Sequence, residues 1–152
     1  MSEIVGAVFL LQRLWTYSLD GFLEPFGLTT RQWMLLAAVD QLFEEPPPLQ
    51  VVADRLNTSH QNVKAMALQL QRRGLVEIVG DKADKRVKRL QTTESNRELW
   101  AAMAGQTEAF IAGLFDDLED AELSELRGLM GPLYARAIER YRDERARRSG
   151  RR

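Results

Sequence analysis

The sequence has no cysteine and only one histidine among its 152 residues. The lack of cysteine excludes disulfide bonds, thiolate metal sites and the sensing of oxidants through a thiol. The segment after Met1 has neither a basic region nor a long uninterrupted apolar run. We therefore expect no signal peptide and no membrane-spanning helix, and a cytoplasmic protein.

Signals of catalysis are also missing. The sequence has no Gly-x-Ser-x-Gly motif and no glycine-rich phosphate loop. The single histidine, His60, has no second metal ligand four residues on, and Asp116 and Asp117 are neighbours that point to different helix faces. We expect a protein that is not an enzyme and that holds neither a metal nor a cofactor.

The composition, 45% hydrophobic and 28% charged, is that of one globular domain over residues 1–152. Apolar residues at three- and four-residue spacing predict a long amphipathic helix over Glu3–Leu23. A second helix is predicted from Thr29 to Leu42 or Phe43, because Thr29 and Gln32 have the spacing of a capping box. The prolines 46–48 require a loop, either a stiff spacer or a polyproline recognition segment.

The segment after these prolines has the form of a helix-turn-helix. Its first helix is short, and its predicted buried face is formed by Val51, Val52, Ala53 and Leu56. A polar break follows at residues 57–59. The other helix of the motif is predicted over Ser59–Arg73, with a capping box formed by Thr58 and Gln61 and a stop at Gly74.

The outward face of helix 59–73 has the chemistry of a recognition helix. If the helix enters a major groove, Gln61 can pair with adenine, Ala65 permits close approach and Lys64 can reach a phosphate or a guanine. Two other assignments stay open, Gln61 as a capping residue and Lys64 as a solvated surface charge. The candidate DNA-binding residues here are Thr58, Ser59, His60, Gln61, Asn62, Lys64 and Ala65.

A basic hairpin follows and completes the pattern of a winged helix over residues 28–93. Strands are predicted over 75–79 and 87–91, with a turn at Gly80-Asp81 and a wing over 80–89. Residues 49–93 contain nine cations and four anions, a balance of +5 in a chain whose net charge is -1. Such an asymmetry is typical of a DNA-facing surface. The candidate DNA-binding cations of the wing are Lys82, Lys85, Arg86 and Lys88.

Four segments together resemble the MarR family of bacterial transcriptional regulators. They are Leu28-Thr29-Thr30-Arg31-Gln32-Trp33, Val52-Ala53-Asp54-Arg55-Leu56, Gly74-Leu75-Val76 and Asp84-Lys85-Arg86. The resemblance covers nearly the whole chain. In two places the sequence departs from the family: Thr92-Thr93 stands where Leu-Thr usually ends the wing strand, and Asn96 lies near the position of an expected glycine.

The resemblance implies a mainly α fold with a small β-hairpin wing, and a homodimer formed through helices at 1–24 and 94–148. It also implies that this dimer binds a pseudo-palindromic operator in double-stranded DNA, where repression is the expected outcome and activation stays open as the alternative. Arg86 would then enter the minor groove, and Asp84 would help to hold the shape of the wing. A small aromatic effector that weakens DNA binding is a further implication.

Two further hypotheses concern partners. Large side chains on helices that should meet near the dimer junction form either a ligand pocket or simply core; they are Trp15, Tyr17, Trp33, Trp100 and Met103. The alternative to a DNA-binding regulator is a winged-helix module that binds other proteins. Such a module would have an acidic or apolar recognition face and a short neutral wing, and this sequence has neither.

Overall fold

The computed structural model describes residues 2–149 and is mainly helical, with one two-stranded antiparallel sheet. None of the helices in this range is long and apolar enough to cross a membrane. The elements, in chain order, are α1 Ser2–Leu23, a 3-10 turn Glu24–Phe26, α2 Thr30–Leu42, α3 Leu49–Arg55, α4 His60–Arg72, β1 Val76–Gly80, β2 Lys88–Thr92, α5 Glu94–Gly113 and α6 Asp120–Ser149. The sequence prediction that the tail beyond Arg148 is frayed concerns mainly residues 150–152, which lie outside the described range.

The chain divides into two compact units, Met1–Phe110 and Ile111–Arg152. The first contains α1 to α4, the hairpin and most of α5, and it holds the hydrophobic core. The second contains the end of α5 and all of α6. The core of the first unit is formed by side chains from all five of its helices, from both strands and from two connections: Leu23, Leu28, Leu35, Leu36, Val39, Leu49, Val52, Ala53, Val63, Ala67, Leu70, Leu75, Val76, Leu90 and Met103.

Helix α2 begins as the sequence predicts. The Thr29 hydroxyl accepts from the Gln32 amide at 3.3 Å, and the Gln32 side chain accepts from the Thr29 amide at 3.1 Å. This capping box satisfies two of the amides that a helix start leaves without partners.

The predicted buried face of α3 is wrong at one position, because Val51 is 43% exposed. The helix begins at Leu49, so the buried positions are Leu49, Val52 and Ala53, which follow the three- and four-residue spacing of a single helix face.

The hairpin register pairs Val76 with Thr92 and Gly80 with Lys88. Both strands lie one residue later than predicted. The proline loop is more than a spacer, because the Pro47 carbonyl accepts from the Leu90 amide at 2.9 Å and Pro48 forms a bridge with Arg89. An X-Pro segment favours extended backbone, so it can lie along the edge of β2 without supplying an amide of its own.

Thr92 and Asn96, at the two places where the sequence departs from the family pattern, both donate hydrogen bonds to Asp40 on α2. The carboxylate of Asp40 accepts from the Thr92 hydroxyl at 2.7 Å and from the Asn96 side-chain amide at 2.8 Å. It also accepts from the Trp100 indole at 2.7 Å. Asp40 thus links the end of the wing strand to the first two turns of α5, and the fully buried Asn96 makes use of this acceptor.

The end of α4 is held against the connection between α1 and α2. The guanidinium of Arg73, the residue after the last turn, donates to the carbonyls of Gly27 and Phe26, the latter at 2.8 Å. Gly27 has a left-handed backbone with φ 65°, and a Cβ placed there would lie 3.1 Å from Arg73 Nη2. A side chain at residue 27 therefore meets both backbone strain and the guanidinium.

This arrangement predicts that Gly27→Ala lowers the free energy of unfolding more than Gly74→Ala. Gly74 also has a positive φ, 73°, but has open space around its Cβ position. The left-handed conformation costs each alanine about 1–2 kcal/mol. Gly27→Ala should cost up to about 1 kcal/mol more, because the guanidinium of Arg73 must give way by a small distance, which strains its hydrogen bonds with the two carbonyls. Urea unfolding of both variants measures the difference, and equal losses would contradict a structural role for the Arg73 contact.

Candidate nucleic-acid interface

The recognition helix α4 starts with a different cap from the one predicted. Ser59 is the N-cap, and its hydroxyl accepts from the Asn62 amide at 3.1 Å. Thr58 lies inside the preceding turn, where its own amide donates to the Ala53 carbonyl and its hydroxyl accepts from the Asn62 side chain at 3.2 Å. The predicted Thr58–Gln61 capping box is therefore wrong by one residue. Gln61 is exposed and has no capping role.

The rotation of α4 is set by its buried side chains, Val63, Ala67 and Leu70. Of the predicted DNA-binding residues, Thr58 is half-buried and the others are exposed: Ser59, His60, Gln61, Asn62, Lys64 and Ala65. Ser59 and Asn62 already use polar atoms in the cap. Gln61, Lys64 and Ala65 are thus the exposed residues best placed to contact an external partner.

Two exposed residues that are not among the predicted DNA-binding residues lie on or beside this face. Leu68 is 44% exposed and lies on the same outward stripe as Gln61 and Ala65. Arg31, from the first turn of α2, lines a groove together with Asn62 and Ala65. Arg31 was identifiable only as one more surface cation, since its closeness to α4 depends on tertiary packing.

The wing loop has the seven residues that the predicted strands leave between them, but it runs from Asp81 to Val87, one residue later than predicted, because Gly80 lies in β1 and not in the turn. Asp81 organises this loop. Its carboxylate accepts from the amides of Ala83 at 2.8 Å and Asp84 at 3.0 Å, and it forms an ion pair with Arg89 on the returning strand. An aspartate that accepts amides two and three residues on stabilises a compact loop.

These contacts favour the ionised carboxylate of Asp81. The hydrogen bond from the Asp84 amide, followed by those from Arg89 and the Ala83 amide, lowers the pKa of Asp81 from 3.8 to about 2. Because the folded pKa is depressed, the stabilisation is fully present above about pH 4 and is lost as the pH falls through about 2.

Asp84, for which the family resemblance implies a structural role, makes a smaller contribution. Its carboxylate accepts from the Arg86 amide at 2.9 Å, and its carbonyl accepts from the Val87 amide at 2.9 Å. Both bonds shape the loop around Arg86. The main organising residue of the wing, Asp81, was counted in the sequence only as a turn residue.

The nine cations of residues 49–93 fall into different structural roles. Arg89 is tied to Asp81 and to the Pro46 carbonyl at 2.8 Å, and Arg73 is tied to residues 26 and 27. The four predicted wing cations, Lys82, Lys85, Arg86 and Lys88, are exposed, and none forms an ion pair with another residue in the range 2–149. Of the seven cations in residues 49–93 other than Arg73 and Arg89, four therefore lie on the wing loop and its returning strand, and the other three, Arg55, Lys64 and Arg72, are exposed on α3 and α4.

The five candidate ligand-binding residues lie in different surroundings. Trp33 and Trp100 contact each other edge to face, with ring centroids 6.2 Å apart. Met103 is fully buried in the core, Trp15 is half-buried and Tyr17 is 80% exposed. The structure brings Trp33 and Trp100 into contact with each other and against the core that contains Met103, and a ligand site remains a prediction.

Comparison with known proteins identifies the family. A family model described as the MarR family matches residues 26–87. The HTH-type transcriptional regulator YhbI of Bacillus subtilis is 32% identical over 115 residues, which cover 76% of this chain and 73% of that protein. The chain belongs to the MarR family. Members of this family are transcriptional regulators rather than enzymes, so the predictions of family and regulatory class are confirmed.

Solved structures of the MarR family confirm the winged-helix fold. A MarR protein from Peptoclostridium difficile has a TM-score of 0.83 at 19% identity, with 92% of this chain and 90% of that chain covered. MepR from S. aureus, solved in complex with DNA, has a TM-score of 0.78 at 18% identity, with 86% and 96% covered.

The wing geometry predicts that Asp81→Ala disorders the loop more than Asp84→Ala, since Asp81 accepts two loop amides and an arginine while Asp84 accepts one amide. Amide hydrogen exchange at Ala83 and Asp84 measures the effect, and the exposed Glu77→Ala is the control on β1. In the unsubstituted protein, protection of these amides should persist at pH 5 and decline between about pH 4 and 2. Unchanged protection in Asp81→Ala would contradict the role given to this carboxylate.

Proposed function

We propose that the protein is a homodimeric DNA-binding regulator that represses transcription by occupying a pseudo-palindromic operator. The observation that carries this proposal is the pairing of two exposed surfaces in one compact unit. One is the outward face of α4, with Gln61, Lys64 and Ala65. The other is the wing, whose four exposed cations have no internal partner among the described residues.

The chemistry of the α4 face fits a major groove. An α-helix fits this groove, and a glutamine side chain can pair through two hydrogen bonds with adenine. Gln61 lies in the first turn and is free of the cap, so both its donor and its acceptor are available. Lys64, one turn later and on the flank, has the length and charge to reach a phosphate or a guanine.

The wing fits the adjacent phosphate backbone and minor groove. Lys82, Lys85 and Lys88 provide mobile point charges that suit phosphates. Arg86 sits on a loop that is held by Asp81 and Asp84, so its backbone position is fixed while its side chain extends into solvent. A narrow A·T-rich minor groove has a strong negative potential that attracts an arginine held in this way.

The apolar surfaces of α1 and α6 support dimerisation. Helix α1 has eight large apolar side chains that are 45–80% exposed: Ile4, Val5, Val8, Phe9, Leu10, Leu11, Leu14 and Tyr17. On α6, Leu129, Met130, Leu133 and Tyr134 are 52–63% exposed. Covering such side chains gains about 1.5–3 kcal/mol each when burial is complete. A second copy of the chain presents the same apolar helices and can cover them reciprocally.

Control by a small aromatic effector is the second part of the proposal. The indole N–H of Trp33 is buried and has no hydrogen-bond partner, whereas that of its neighbour Trp100 donates to Asp40. A buried indole N–H normally donates to an acceptor, and a carboxylate of a bound aromatic ligand would supply one here. Titration with a panel of aromatic carboxylates should change tryptophan fluorescence and weaken DNA binding together, and Trp33→Phe should reduce both effects.

Selection from a random DNA pool tests the main proposal. We expect an inverted repeat to be enriched, and light scattering to give twice the 17.4 kDa chain mass for the free protein. A well-folded monomer, or a selection that enriches no motif, would contradict it.

The first variant that we propose is Gln61→Ala. It should weaken binding to the selected operator by about 1–3 kcal/mol per base contact while leaving binding to random DNA nearly unchanged. The matched control is Gln41→Ala, an exposed glutamine on α2. Titrations on both DNAs separate the two effects, and equal losses on operator and random DNA would exclude base recognition by Gln61.

The second variant removes Lys82 and Lys85 together. The logarithm of affinity falls with the logarithm of salt concentration by about 0.9 per phosphate contact, so losing two contacts per subunit should flatten the slope by up to about 3–4 units. A control variant removes the same charge from α6 through Arg136→Ala and Arg140→Ala. Titrations at several salt concentrations measure both slopes, and an unchanged slope in the lysine variant would favour the protein-binding module.

A further inference from the structure

Helix α4 has one large apolar side chain on the face opposite the core. At about 100° per residue, Gln61, Ala65, Leu68 and Arg72 form a stripe opposite the buried Val63, Ala67 and Leu70. Leu68 is 44% exposed, and the other exposed residues of α4 are polar, charged or alanine.

Folding does not require leucine at this position. The buried contacts of α4 come from Val63, Ala67 and Leu70, and Met66 covers the edge of that face. A single exposed leucine is ordinary on a protein surface, so exposure alone decides nothing. What matters is the position of Leu68 between Gln61 and Arg72, on the stripe that the proposed function brings into the major groove.

The chemistry of the major groove limits what Leu68 can contact there. Base edges in this groove present hydrogen-bond donors and acceptors, and the apolar group among them is the C5-methyl of thymine. Ala65, one turn before Leu68, has no side chain long enough to hold the helix away from the bases. Leu68 follows Gln61 by two helical turns, about 10 Å, which corresponds to roughly three base-pair steps.

We propose that Leu68 is a specificity-determining residue that reads a thymine methyl group, about three base pairs from the base that Gln61 contacts. This inference rests on the proposed function and adds to it the chemical class of the base that the middle of α4 selects. It predicts thymine at one position in each half-site, where cytosine, which lacks the methyl, is disfavoured.

The test replaces thymine by deoxyuridine, which removes the methyl and keeps the base pair. Each thymine of the selected operator is replaced in turn, in both half-sites, and the affinities of the unsubstituted protein and of Leu68→Ala are measured. Burial of one methyl-sized group corresponds to about fourfold in affinity, so two half-sites should give roughly fifteenfold. We expect this loss at one thymine position for the unsubstituted protein and less than about twofold there for Leu68→Ala.

Leu42→Ala is the matched control, because Leu42 is 46% exposed and lies at the end of α2 rather than on α4. It should keep the full deoxyuridine effect. Thermal melting of Leu68→Ala should match that of the unsubstituted protein.

Two outcomes overturn the inference while leaving the proposed function intact. In the first, the unsubstituted protein binds its operator equally well with deoxyuridine at every position. In the second, Leu68→Ala keeps the same sensitivity to deoxyuridine, so another residue reads the methyl. Failure of the proposed function looks different, since no operator is then enriched by selection, and the inference falls with it.

Discussion

The burial of Val63, Ala67 and Leu70 is the constraint on which the candidate interface depends. These side chains fix the rotation of α4 about its own axis, because each is fully buried among residues of α2, α3 and the hairpin. The rotation of α4 in turn places Gln61, Ala65 and Leu68 on the outward face. A polar group in place of any of the three would leave an unsatisfied atom in the core and free the helix to turn.

A second set of contacts gives the wing a defined position. The carboxylate of Asp81 accepts hydrogen bonds from two loop amides and from Arg89. Arg89 also donates to the Pro46 carbonyl, so the wing is joined to the loop before α3. The basic residues therefore have two different roles. Arg89 and Arg73 hold the fold together, while Lys82, Lys85, Arg86 and Lys88 remain exposed for a partner. A count of charges along the sequence cannot make this distinction.

Sequence patterns predicted the elements well wherever local periodicity decides the structure. Helices α1 and α4 and both strands of the hairpin begin and end within one or two residues of their predicted bounds. The capping box at Thr29 is present as predicted. The basic wing and the helix-turn-helix were also recognisable, since turn residues and charge runs are local signals.

The sequence prediction was wrong where tertiary contacts decide between local alternatives. Two successive hydroxyls, Thr58 and Ser59, could each cap α4, and the choice depends on the turn at Asn57, whose φ is 50°. The wing loop starts one residue later than predicted, because Gly80 pairs with Lys88 in the sheet. The exposure of Val51 follows from where α3 begins. Such choices are made by tertiary packing, which periodicity does not encode.

The absence of cysteine makes one measurement especially direct. Single cysteines introduced at Ala83 on the wing and at Gln69 on the flank of α4 can each carry an iron chelate that cleaves nearby DNA, and the cysteine-free protein treated with the same reagent is the control. If α4 and the wing bind DNA, the chelate at residue 69 should cleave within each half-site. The chelate at residue 83 should cleave at the flanks, and the control should give no cleavage. Equal or random cleavage from residues 69 and 83 would contradict the account.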